Sequence, residues 1–433
     1  MSFPKYPAYK DSGVGWIGEV PIGWNIVPLK RIFSLKNGAT PKSDQSDLWD
    51  GEITWITPAD LNSEQPEIIT HSKRTISAKG AESCAVSIVP KGSIIISTRA
   101  PIGSIGLSGI DLCTNQGCRS LVPDEGVSSK FFLYFLYSAV SELQVLGKGT
   151  TFLELSSDSL ASFPSCFPSL PEQQAIASFL DRECGKIDAL IAEQERLIAL
   201  LAEKRQAVIS HAVTKGLNPN APMKDSGIPW IGMVPEGWEV KKVSHDFTAE
   251  KGKNGQLLTK EYCSEISGDF PVYSGQTENN GVMASINSYE FDFDNGVIFS
   301  TTVGAKAMSL KFLCGKFSLS QNCMIIFPKN NIIPEYSYYA FMPLFDYERS
   351  LIPDHMQPSF RISDLYNFSY VMPPFDEQIM ILNFIKKKEM KLTSTEREVQ
   401  RQITLLKERR AALISAAVTG KIDVRAESKA LAA

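Results

Sequence analysis

The stretch from Pro171 to Gly216 constrains this chain most. Its apolar residues recur at helical spacing: Ile176, Leu180, Ile187, Leu190, Leu197, Leu201 and Val208 form a heptad-like seam. Ser169-Leu170-Pro171-Glu172 reads as a capping box at the start, and Thr214-Lys215-Gly216 as the stop. No Pro lies between these ends, and Gly185 is the one weak point. A helix over 172–214 would be about 64 Å long at about 1.5 Å per residue. That is too long for the core of one compact domain.

The same stretch returns at a constant offset of 205. Glu172-Gln173 becomes Glu377-Gln378, Arg205 becomes Arg410, and Ala212-Val213-Thr214 becomes Ala417-Val418-Thr419. The seam recurs as Ile385, Leu392, Val399, Leu406 and Leu413, so two matched apolar seams in one chain are expected to pack on each other, antiparallel. A second repeat frames the first. Residues 10–24, with Trp16 and Trp24, return as residues 224–238, with Trp230 and Trp238, and eleven of the twenty positions from Lys10 and from Lys224 are identical. Trp, Gly and Pro at this density predict irregular packed anchors that seat a domain against a helix end.

The order is therefore anchor, globular region, helix, twice over, which is one duplication and not a solenoid. We expect an anchor over 1–29, a first globular domain over 30–166 and a first helical region over 167–217. A linker and second anchor follow over 218–242, a second globular domain over 243–371, a second helical region over 372–423 and a tail over 424–433. The globular parts have short β-type runs broken by Gly, Pro, Asn and Ser: Ile53–Ile56, Ser93–Thr98, Cys118–Val122, Gly296–Thr301 and Asn322–Phe327. Each also has a helical patch, Ser129–Leu146 and Glu335–Arg349. The expected fold class is mixed α+β: two globular α/β domains separated by a pair of long antiparallel coiled-coil helices with pseudo-two-fold repetition. Local echoes are few: Ser97-Thr98 beside Ser300-Thr301, and Asn115-Gln116-Gly117-Cys118 beside Ser320-Gln321-Asn322-Cys323.

Composition closes off other classes. The chain is 43% hydrophobic and 21% charged, ordinary for a globular protein, and no run approaches a membrane span. Eight scattered Cys without a CxxC, and four His, give no zinc spacing, so a reduced, cytoplasmic protein without metal is expected. Walker, GxSxG, HExxH and dinucleotide motifs are all missing, and Met372-Pro373-Pro374-Phe375 lacks the leading Asn or Asp of an amino-methyltransferase motif. No catalytic residue is expected. The formal net charge is −4, and each globular region holds slightly more acid than base, so nucleic-acid contacts would have to be local or shared with partners.

The paired Lys-Asp-Ser-Gly…Trp-Ile-Gly…Val-Pro…Gly-Trp segments, the two Glu-Gln helix starts and the two Arg…Ala-Val-Thr helix ends resemble the specificity subunits of type I restriction–modification enzymes over nearly the whole chain. The resemblance implies two target recognition domains, each reading one half of a split, asymmetric site in double-stranded DNA. It also implies helices that set the gap between the halves and dock two modification (methyltransferase) subunits, with two restriction (translocase and endonuclease) subunits beside them. S-adenosylmethionine, ATP and magnesium would then belong to those partners, with no cofactor in this chain. The alternative readings are a coiled-coil scaffold presenting two protein-binding domains without nucleic acid, and an enzyme with an unrecognised carbohydrate or nucleic-acid active site.

Base edges are read by Arg, Lys, Asn, Gln and Ser/Thr on exposed loops. Candidates in the first domain are Arg99, Asn115, Gln116, Arg119, Lys148, Thr150 and Thr151. In the second they are Thr302, Lys306, Gln321, Asn322, His355, Gln357, Ser359 and Arg361. Asn115 and Gln116 are weaker candidates than Arg99, because their echo at Gln321-Asn322 points to fold maintenance. Lys73-Arg74 and Lys251 with Lys253 are candidates for phosphate contact or for solvated loops.

Overall fold

The structure is a computed structural model that describes residues 3–62, 64–148, 153–276, 278–304, 306–329, 331–353, 355–356 and 358–425. Its two longest elements are helices, Leu170–Lys215 and Phe375–Val418, each continuous across its length, Gly185 included. The chain divides into two compact units, Met1–Gln194 with Arg401–Ala433, and Glu195–Gln400. Each unit thus contains the start of one long helix and the end of the other.

The helix segments run antiparallel within each unit. In the first, Ile176, Leu180 and Cys184 share a buried cluster with Ile414, Ala417 and Val418, and further along Asp188 pairs with Arg410 at 2.9 Å. In the second, Ile209, Ala212 and Val213 cluster with Ile381, Leu382 and Ile385, and Arg205 pairs with Glu396 at 2.8 Å. Among the covered positions of the first helix, one continuous series is Leu180, Cys184, Ile187, Ile191, Gln194, Ile198, Leu201, Arg205, Val208 and Ala212. Its counterpart on the second helix is Ile385, Glu389, Leu392, Glu396, Val399, Ile403, Leu406, Arg410, Leu413 and Ala417. Both series step by four and three without a break, which is the heptad rule, and each position lies 205 residues from its counterpart.

This register corrects the expected seam at two places. Leu190 is 51% exposed and Leu197 37% exposed. From Ile187 the heptad steps by four to Ile191, whereas a step of three to Leu190 turns about 100° off that position at about 3.6 residues per turn. Ile191 and Ile198 therefore occupy the positions expected of Leu190 and Leu197. The ends also differ from a simple cap. The Glu172 carboxylate accepts the Tyr6 hydroxyl at 2.8 Å, while the backbone N–H groups of Glu172 and Gln173 donate to Ser169 O. Both helices stop at a left-handed glycine, Gly216 (φ 73°) and Gly420 (φ 72°). At Gly420 the N–H of Lys421 reaches Ala416 O and that of Gly420 reaches Ala417 O, the paired bonds of a Schellman end. A Cβ there would stand 2.4 Å from Pro21 Cδ, so only glycine fits.

The anchors are small hairpins. Tyr9–Asp11 pairs with Glu19–Pro21, and Met223–Asp225 with Met233–Pro235. Trp24 and Trp238 are each 1% exposed. Each anchor receives the end of a long helix through a lysine. Lys215 Nζ donates to Ile231 O and Met233 O, and Lys421 Nζ donates to Glu19 O. The matched Glu-Gln at each helix start also acquires a role. Gln173 donates to Pro168 O (2.9 Å) and accepts from Ser128 N (2.8 Å); Gln378 donates to Pro373 O (3.1 Å) and accepts from Ile333 N (3.2 Å). Each amide ties the turn before its long helix to the start of a helix in the globular region, Ser129–Ser138 or Pro334–Ser350.

The globular regions share a plan that their sequences conceal. The first has a five-stranded sheet in the order Phe33–Asn37, Cys118–Pro123, Ile94–Ser97, Ile105–Ser108, Glu67–Ile69. The second has Phe247–Glu250, Cys323–Pro328, Phe291–Thr301, Leu310–Leu319, Ser267–Tyr273, with Val282–Ile286 added at the edge. In both, the fifth strand is parallel to the fourth and the earlier neighbours are antiparallel. Ile94, Ile95 and Ile96 are fully buried in succession, as a strand covered on both faces requires. The expected helical patch 129–146 divides into Ser129–Ser138 and Val140–Val145, and the second runs unbroken from Pro334 to Ser350. The first region adds a three-stranded sheet, Cys113–Thr114, Trp49–Ile56 and Arg74–Ile76. Short pairs close each region where the chain enters and leaves it: Asn25–Pro28 with Pro164–Phe167, and Glu239–Lys242 with Ser369–Met372.

Candidate nucleic-acid interface

The sheet plan delivers most of the sequence-derived candidates to one end of each sheet, where the third strand stops and the second begins. In the first unit Ser97 pairs with Cys118, and Thr98 N donates to Gly117 O. The loop beyond is closed by a hydroxyl: Ser97 Oγ donates to Pro101 O and accepts from Ser104 N. In the second unit Thr301 pairs with Cys323, Thr302 N donates to Asn322 O, and Thr301 Oγ1 donates to Lys306 O and accepts from Ser309 N. Ser97 thus corresponds to Thr301, one residue on from the match that sequence suggests: each is the last residue of its strand and pairs with the cysteine that opens the neighbouring one.

The next segment pairs with each loop. Leu155 N donates to Thr98 O and Phe360 N to Thr302 O, both at 2.8 Å. Beside these bonds, Arg99 stands opposite Glu154 and Val303 opposite Ser359. Glu154 is also opposite Lys148, joined by two backbone bonds. Directly opposed residues of antiparallel segments project to one face. Arg99, Glu154 and Lys148 therefore make a row of alternating charge, with Arg99 Nε 3.3 Å from the Glu154 carboxylate. The matching row in the second unit, Val303 and Ser359, carries no charge.

Arg119 lies near this row but is committed to the fold. Its guanidinium donates to Ser157 Oγ, Gln116 O and Cys118 O. Burial, then the Arg99 charge, pull it below the ordinary arginine range, with Glu154 opposing, and it remains a cation. Asn115 is half-buried, and its side-chain oxygen accepts from Gly117 N, so it holds the turn; Gln116 is exposed and bonded to Thr40. Thr302 is 1% exposed, and its hydroxyl has no partner among the described residues. A strand-end threonine whose backbone is bonded on both sides turns its side chain inward, which removes Thr302 as a base contact. Lys306, Gln321, Asn322, His355, Ser359 and Arg361 are exposed, with Arg361 N bonded to Asp364 at the start of helix Ile362–Asn367. Thr150, Thr151 and Gln357 lie outside the described residues. Of the phosphate candidates, Arg74 lies over the Trp49 ring at 3.6 Å, and the backbone N–H groups of Lys73 and Lys253 bond to Asp60 and Glu290.

Glu154 and the Ser97/Thr301 pair are what the sequence did not disclose. No motif marks Glu154, and the hydroxyl pair is concealed by its one-residue offset. Among the described residues, no group of three His, Cys, Asp or Glu could hold a metal ion, and no helix is long and apolar enough to cross a membrane.

The model of the type I restriction modification DNA specificity domain matches this chain twice, over residues 21–198 and 235–405. The chain is 27% identical to the type I restriction enzyme MjaIX specificity subunit of Methanocaldococcus jannaschii, over 94% of this chain and 95% of that one. It is 24% identical to the EcoprrI specificity subunit of Escherichia coli, over 88% and 91%. In fold it is similar to a chain from a structural study of complex assembly and conformational transition of the type I R-M system (TM-score 0.69, 14% identity, covering 92% of this chain and 98% of that one). It is also similar to the HsdS subunit of Thermoanaerobacter tengcongensis (TM-score 0.51, 14% identity, 93% and 98%). Duplicated helices, duplicated anchors and two sheets of one plan agree with a family model that matches each half in turn, and the chain belongs to the type I restriction–modification specificity subunits, the non-catalytic members of those systems.

Proposed function

We propose that this chain reads a bipartite, asymmetric target in double-stranded DNA and directs two modification subunits, and with them two restriction subunits, to that site in the cytoplasm. S-adenosylmethionine, ATP and magnesium serve those partners. One observation carries the reading. The two globular regions present the same hydroxyl-clamped loop at the same end of the same sheet, yet the side chains on it differ, Arg99 and Glu154 in one and Val303 and Ser359 in the other. A common frame with different exposed chemistry suits two readers of unlike half-sites, because sequence is read by base-edge contacts while the frame sets orientation.

The test is the methylation pattern of cells that express the chain with its modification subunit. A bipartite motif with two different halves is expected. Exchanging residues 30–166 for the matching region of another specificity subunit is expected to change one half only. An exchange that alters both halves, or a methylated site with a single contiguous core, would refute the reading.

A further inference from the structure

The acidic side chain in the row beside Arg99 is unexpected on a surface that approaches DNA. A carboxylate facing the phosphate backbone is repelled by it. Glu154 is nevertheless fixed there: its backbone is bonded to the Lys148 segment on one side, and it is bridged to Arg99 on the other. Its side chain is 39% exposed and that of Arg99 is 49% exposed, so both heads are available to a partner. Arg119, also nearby, has its guanidinium bonded within the fold. In the free protein Arg99 and Lys148 flank the carboxylate and balance its charge.

Among base edges in the major groove, the one suited to a carboxylate is an exocyclic amine, above all N4 of cytosine; the edge suited to a guanidinium is O6 with N7 of guanine. Opposed residues stand about 5 Å apart at Cβ, within reach of neighbouring base pairs. We propose that Glu154 and Arg99 are specificity-determining residues of the first reader: Glu154 accepts from a cytosine amine and Arg99 donates to a guanine in adjacent base pairs of one half-site, with Lys148 on the flanking phosphate. The second reader carries Val303 and Ser359 in the corresponding row and makes neither contact. This rests on the DNA-reading function proposed above and adds its chemistry.

The experiment uses the full chain assembled with its modification subunit and maps methylated sites by single-molecule sequencing for wild type, Glu154→Gln and Arg99→Ala. Glu154→Gln is expected to relax one cytosine position and Arg99→Ala the adjacent guanine position of the same half-site. Discrimination there falls about ten- to a hundredfold, as for one lost base contact. The other half-site stays unchanged, and this serves as the control for folding and assembly. An unchanged motif in both variants would reduce the pair to a surface ion pair and overturn the proposal. So would a uniform loss at all sites with a weaker salt dependence, which marks a phosphate contact. A variant that methylates nothing is measured for binding of the complex to the wild-type site and to sites changed at each position, where equal loss on all of them counts against the proposal. A wild-type complex with no bipartite motif would instead overturn the function on which it rests.

Discussion

Replacing Gln173 with Met tests whether the matched Glu-Gln pairs hold the globular regions onto the long helices. Gln173 is completely buried, and methionine has nearly its length and volume, so packing is kept while two hydrogen bonds are lost. The substitution leaves Pro168 O, accepting at 2.9 Å, and Ser128 N, donating at 2.8 Å, without these partners. An orphaned buried carbonyl costs about 1–3 kcal/mol and the half-buried N–H about 1 more, so about 3 kcal/mol is expected in total. For a unit of this size the melting temperature then falls by about 6–12 °C. Amide exchange in helix Ser129–Ser138 should quicken about a hundredfold, because about 1.4 kcal/mol is tenfold. The counterpart, Gln378→Met, removes longer bonds, 3.1 Å to Pro373 O, 3.2 Å from Ile333 N and a weak 3.3 Å contact to the Met372 sulfur, and should cost less. Calorimetry and hydrogen exchange on both variants decide. A Gln173→Met protein that melts within about 1 °C of wild type, or a larger loss at Gln378, would refute the reasoning.

Further outcomes are expected of the helix seam, the buried thiols and the chain's net charge. Leu190→Glu and Leu197→Glu, on exposed positions, should change stability by no more than about 0.5 kcal/mol, whereas Ile191→Glu and Ile198→Glu place a charge in the heptad seam and should cost at least about 2 kcal/mol by chemical denaturation. Burial pushes the thiols of Cys113, Cys118 and Cys166 up to about 12, so the folded protein should expose Cys314 to a thiol reagent at pH 8 and withhold these three. Because their folded values exceed the unfolded ones, the stability they contribute is complete below the ordinary thiol value near 9 and is lost as pH rises toward about 12, which an alkaline unfolding titration measures. Finally, the isolated chain, at formal net charge −4, should bind its target weakly at physiological salt and tightly only with modification subunits; tight, site-specific binding by the chain alone in a gel-shift or anisotropy assay would contradict this.

What could be read from the sequence was whatever repeats or follows a period. The long helices, their antiparallel pairing and the two anchors all announce themselves by identity at fixed offsets. The register did not, because Leu190 and Ile191 are adjacent and equally apolar, as are Leu197 and Ile198; only the partner surface chooses between them. The common plan of the two sheets was hidden for another reason. A strand order depends on which segments can cover one another, and Ile94–Ser97 and Phe291–Thr301 fill the same place with different lengths and side chains. At the interface, Arg99 was recognisable by residue type. Thr302 misled because strand-end burial is a property of the tertiary structure, and Glu154 was passed over because an acid is not sought on a DNA-reading loop.

The division of the first unit between distant stretches of chain has a consequence for synthesis. Glu195–Gln400 is contiguous, so the second unit can fold as soon as it has emerged. The first unit needs Arg401 and the residues after it, whose Ile414, Ala417 and Val418 cover Ile176, Leu180 and Cys184, and whose Asp423 N–H bonds to Pro4 O. At about 5–20 residues per second, the roughly two hundred intervening residues take about 10–40 s to make. During that interval the first reader exists with an uncovered apolar helix face, so on the ribosome the domain translated first is the last to be completed, and a chaperone that shields such surfaces has its window there.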